Sequence, residues 1–77
     1  MENLHRITHI ADVCNGKPTI RGMRITVKTI LEYMAAGETI DNVLEAYPYL
    51  EKEDIQAAFE YAALIANRSV VSYKLAS

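Results

Sequence analysis

Three side chains of the kind that bind transition metals stand near the start of the chain: His5, His9 and Cys14. Imidazole and thiolate suit zinc, but a structural zinc site wants four converging ligands. The intervening Ile7, Thr8 and Ile10 favour extended backbone, where residues four apart are separated by roughly 13 Å. That spacing predicts no shared ion. A second group, Glu51, Glu53, Asp54 and Glu60, crowds carboxylates into the C-terminal half. General acid–base catalysis needs a buried pair whose pKa values are driven apart. These four fall at the start of a helix or on its expected solvent side, where early acids offset the macrodipole. No phosphate loop, dinucleotide fingerprint or nucleophile elbow occurs, and Gly16-Lys17-Pro18 opens no helix. The residues predict no enzyme, no metal and no cofactor.

The cations carry more direction. Residues 1–28 hold five Lys and Arg against two acids, whereas residues 29–77 hold three against eight. The basic end contains Lys17, Arg21, Arg24 and Lys28. Placing a two-residue loop at Gly22-Met23, with Gly first as a type II′ turn requires, sets Ile20 facing Ile25. The same register sets Arg21 opposite Arg24, and like charges across a ladder repel. An anionic partner would relieve that repulsion. A carboxylate on a neighbouring helix, bracing the hairpin against the core, would do so equally well. Lys17, Arg21, Arg24, Lys28 and Gln56 are therefore the candidate contacts to DNA or another anionic partner.

Positioning falls to three helices. Thr26 is the expected N-cap of the first, with Val27, Ile30, Leu31 and Met34 on one stripe and Gly37 at its end. Thr39 caps the second, with Ile40, Val43, Leu44 and Tyr47 at the same spacing before Pro48. A third starts near Glu51 or Lys52 and runs to about Asn67, with Ile55, Ala58, Phe59, Ala62, Ile65 and Ala66 inward. Ile30, Leu31, Val43, Leu44, Ile55 and Phe59 are the predicted core. Tyr61 and Leu64 lie off the inner stripe and are candidate oligomer contacts. Leu4 to Ile10 has strand character.

Residues 1–66 thus read as one helix-turn-helix domain with an N-terminal hairpin, mainly α. Residues 67–77 form a tail in which Val71, Tyr73 and Leu75 alternate like a strand, to be paired or left disordered. The 77 residues are 51% hydrophobic, enough for a single folded domain. A chain so short buries only roughly 60% of its unfolded surface, which favours self-association. One cysteine, no secretory layout and no long apolar run predict a cytoplasmic protein without a membrane span.

The run Gly16-Lys17-Pro18-Thr19-Ile20-Arg21-Gly22-Met23-Arg24-Ile25-Thr26-Val27 is similar to the signature of the small bacterial domain-of-unknown-function-433 family. Ile30-Leu31, Ala36-Gly37, Tyr47-Pro48-Tyr49-Leu50 and Glu53-Asp54-Ile55-Gln56-Ala57-Ala58 extend the resemblance over about residues 7–66. Two positions depart from it: Met23, where the family usually has Thr, and Glu51, where Ser or Thr is common. The resemblance implies a winged or homeodomain-like helix-turn-helix fold. It also implies the antitoxin half of a type II toxin–antitoxin pair, often encoded beside a PIN-like ribonuclease. The corresponding expectation is a homodimer that binds operator DNA and neutralises such a toxin. The alternative is a protein-interaction module that binds no DNA, because Glu51, Glu53 and Asp54 at the third helix would repel phosphates.

Overall fold

The computed structural model describes the backbone of residues 1–76 and the side chains of residues 1–67. Two short strands, β1 (Ile7–Thr8) and β2 (Thr19–Ile20), precede helices α1 (Val27–Ala35), α2 (Ile40–Ala46) and α3 (Lys52–Ala76). The strands pair antiparallel, Ile7 opposite Ile20 and Thr8 opposite Thr19. Leu4–Arg6 forms a 3-10 turn that leads into β1. The result is a mainly α fold: three helices, with an N-terminal hairpin laid against them.

Local chemistry explains the helix boundaries. The Thr26 hydroxyl accepts from the Thr29 N–H at 3.1 Å, and the Thr39 hydroxyl accepts from the Asn42 N–H at the same distance. Each satisfies a first-turn amide with no partner inside its helix. At the far end of α1, Gly37 has φ +91°. Its N–H donates to the Met34 carbonyl and the Glu38 N–H to that of Tyr33, both at 3.1 Å. That pair of bonds is the Schellman arrangement, which needs a left-handed residue at this position.

The turn into α1 differs from the expected one. The Met23 N–H donates to the Ile20 carbonyl at 2.8 Å, so the tight turn is centred on Arg21-Gly22 rather than Gly22-Met23. Arg21 has φ +46° and Gly22 φ +72°, the positive pair that a type I′ turn demands. Ile20 still meets Ile25, donating its N–H to the Ile25 carbonyl at 3.1 Å, and both side chains are buried. The left-handed conformation of Arg21, unusual away from glycine, is held at both ends. Its N–H donates to the Arg6 carbonyl at 2.7 Å, and its side chain is bound to α3.

Ile20, Ile25, Val27, Ile30, Val43, Leu50, Ile55 and Ala58 form the core. Leu31 and Leu44 pack against it half-buried. Phe59 does not join them: it is 42% exposed. The buried face of α3 is rotated from the expected stripe toward Asp54 and Ala57, both fully buried, while Ile65 and Ala66 lie on the exposed side. The reason is electrostatic: two arginines on the N-terminal segment and hairpin turn Asp54 inward, and Phe59 is carried outward with the rotation. α3 also continues past Asn67, where its end was expected. The strand expected for Val71, Tyr73 and Leu75 is not formed: the backbone of these residues continues α3.

Candidate functional site

Asp54 is the centre of the first constellation. Its carboxylate is completely buried, yet every bond it makes is to a full or partial positive charge. Arg21 grips it with two parallel bonds, Nε to Oδ1 at 3.0 Å and Nη2 to Oδ2 at 2.8 Å. Arg6 Nη1 donates to Oδ1 at 3.0 Å, and the Glu51 N–H to Oδ2 at 2.8 Å. The last bond caps the start of α3 from within, an acid reaching back to the amide at the helix entrance. Arg6 Nη1 also meets Glu51 Oε1 at 2.6 Å, and Arg21 Nη2 the Tyr49 carbonyl at 3.1 Å.

These partners decide the protonation state. Burial by itself raises the carboxyl pKa of Asp54, but hydrogen bonds from Arg21, the Glu51 amide and Arg6 outweigh it and hold the group below its usual range. The two guanidiniums are raised in turn, Arg6 chiefly by its hydrogen bonds to Glu51 and Asp54 and Arg21 by that to Asp54. One atom is left over: Arg6 Nε is buried with no partner among the described residues. The arrangement is a brace tying the N-terminal turn, the hairpin and α3 at one point. Asn3 reinforces it, its N–H donating to Glu60 Oε1 at 2.9 Å and its Nδ2 to Glu60 Oε2 at 3.0 Å.

The second constellation is an open groove of about 660 Å³ between α1 and α3. Leu31 and Ala35 line it from α1, and Tyr61, Ala62, Ile65 and Ala66 from α3. Pro18 and Val27 close one end, joined by a 2.9 Å bond from the Val27 N–H to the Pro18 carbonyl. That bond brings their neighbours, Lys17 and Lys28, to the same end of the groove. Both lysines are exposed and make no ion pair among the described residues. Glu32 stands one helical turn beyond Lys28 on the rim.

The expected contact residues therefore divide. Lys17 and Lys28 come together at the groove, Arg24 stands exposed on the hairpin, and Arg21 is bound to Asp54. Gln56 is exposed on α3, its Oε1 accepting from Asn3 Nδ2 at 3.4 Å. Tyr61 lines the groove with its hydroxyl 3.3 Å from His9 Nε2, whereas Leu64, 38% exposed, lies outside it. The sequence places Asp54 at the start of a helix or on its solvent side and offers a helix carboxylate as a brace for the hairpin arginines, but it does not foresee that Asp54 is buried. The only signal was an acid three residues into a helix in a chain with spare arginines upstream. Among the described residues no three His, Cys, Asp or Glu side chains converge as a metal ion would require. No helix among them is long and apolar enough to cross a membrane.

A hairpin braced by arginines onto a small three-helix core, with an apolar groove along α1, defines a small helical domain. The chain belongs to the family described as protein of unknown function (DUF433), whose pattern matches residues 7–62. It is 38% identical over 56 residues to the uncharacterised protein y4eO of Sinorhizobium fredii (strain NBRC 101917 / NGR234). The match covers 73% of this chain and 25% of that relative, so the chain spans about a quarter of the relative's length. No solved structure matches it.

Proposed function

We propose that this domain works by binding a partner protein, as the neutralising half of a type II toxin–antitoxin pair in the cytoplasm, and that it carries out no catalysis itself. The observation that carries the reading is the α1/α3 groove, an apolar channel open at the surface of a domain with little core to spare. Contiguous apolar surface of this kind marks interaction sites on small soluble proteins. The buried acid offers no chemistry, because both its oxygens are occupied by donors.

Operator binding has less support. The entrance and first turn of α3 expose Glu51 and Glu53, with Asp54 buried beside them, where a recognition helix would present donors to base edges. Arg21 is committed to Asp54, which leaves Lys17, Arg24 and Lys28 for phosphates. The test is co-expression with the product of the adjoining reading frame. Growth restored by this chain, together with co-purification of a stable complex, is the expected result. Absence of any complex, with tight binding to duplex DNA from the upstream region, would replace this reading with a DNA-binding one.

A further inference from the structure

Resting on the reading of the domain as a protein-binding module, we propose that the α1/α3 groove receives an acidic amphipathic helix from a partner protein. A carboxylate at one end of that helix would sit between Lys17 and Lys28. The shape comes first. The nine residues of α1 span about 13 Å at 1.5 Å per residue, which matches two to three turns of an incoming helix. Such a helix presents apolar side chains at i, i+3, i+4 and i+7 to a groove of this kind. Ala35, Ala62 and Ala66 keep its walls low enough for large side chains to enter.

Charge fixes the occupant and its direction. The Pro18–Val27 bond gathers Lys17 and Lys28 at one end, and Glu32 lies a turn further along α1. The complementary helix is acidic at the lysine end and neutral or basic beside Glu32. A second copy of this chain does not answer that description. Its C-terminal sequence, residues 64–77, carries Arg68 and Lys74 and no acid. Docked here, it would set cations beside Lys17 and Lys28.

The probe is a stapled helical peptide with leucines at i, i+3, i+4 and i+7 and two glutamates at one end, followed by amide NMR. Shifts should cluster at Lys28, Leu31, Ala35, Ala62 and Ala66. A matched peptide with lysines in place of the glutamates should bind roughly tenfold more weakly, the sum of several modest rim charges. Reversing the rim with Lys17→Glu and Lys28→Glu should invert that preference, and Ala66→Trp, at an exposed position, should block both peptides. Equal affinity for the two peptides, or shifts centred away from the groove, would overturn the proposal. So would a dimer in sedimentation that Ala66→Trp dissociates, or duplex DNA that shifts the lysine amides where the peptide does not. The partner protein from the co-expression test separates the two levels. If it still binds the Ala66→Trp and lysine-reversed forms, the groove assignment falls while the binding-module reading stands.

Discussion

Asp54 shows how a single residue can hold three segments together and make their stability depend on acid. Its ionised form is favoured in the folded chain by Arg21, the Glu51 amide and Arg6, so its pKa lies below the ordinary carboxyl value of 3.8. A depressed pKa stabilises the fold above the unfolded value, and that stability is lost as pH falls through the folded one. Denaturant melts should therefore be flat with respect to this group from neutral pH down to about pH 5 and decline below about pH 4. Asp54→Asn should remove most of that acid-linked decline. At neutral pH it should cost roughly 2–4 kcal/mol, less than breaking a fully buried pair because the arginines keep some contact with water. A variant as stable as the parent at pH 7 would show that the brace contributes nothing. The two hairpin arginines are predicted to part company in the same assay. Arg21→Ala should lower the melting temperature, whereas Arg24→Ala, exposed and without an ion pair among the described residues, should leave it unchanged. The repulsion inferred between them is resolved inside the chain: the turn rotates Arg21 away from Arg24 and onto Asp54.

At the scale of elements, α1 and α2 were legible because their boundaries are local. A threonine hydroxyl, a left-handed glycine and a 3.6-residue stripe each act within a few positions of themselves, and all three are read directly from residue order. The face of α3 was not legible by the same means. Apolar periodicity ranks Phe59 above Asp54 for burial, and only the distant Arg6 and Arg21 reverse that order. Truncation tests the rotation. Ile55→Ala, at a position with no exposure, should cost about 2–5 kcal/mol. Phe59→Ser, at a ring 42% exposed, should cost distinctly less, about 1 kcal/mol. A large loss at Phe59 in urea unfolding would put that ring back in the core. The hairpin was read correctly in its partner residues, Ile20 and Ile25, and displaced by one position in its turn. Glycine at the first loop position suggested a type II′ turn. The tertiary bonds of Arg21 allow a non-glycine residue to take positive φ beside it.

For the molecule as a whole, the basic N-terminal third suggested an anionic partner, but folding uses much of that charge internally. Arg6 and Arg21 are drawn onto Asp54 and Glu51, and what remains outward is a smaller cationic set of Lys17, Arg24 and Lys28. The candidate groove was invisible in the sequence for the same reason that α3 was misphased. Ala62, Ile65 and Ala66 read as part of the inner face of the third helix, and only the rotation of the helix turns them into the wall of an open channel. Lys17, Arg24 and Lys28 set a ceiling on the phosphate contacts that the N-terminal third can make. If all three met phosphates, the logarithm of affinity would fall against the logarithm of salt with a slope of about −2.7, close to one per neutralised phosphate. Acids at the entrance to α3 would oppose even that. Fluorescence anisotropy with duplex DNA from the chain's upstream region, at salt concentrations spanning the physiological one, should therefore give weak binding that disappears as salt rises and does not discriminate between sequences. A steeper slope with tenfold or greater preference for one duplex would require more cations than this fold leaves exposed on the hairpin, and would return operator recognition to first place.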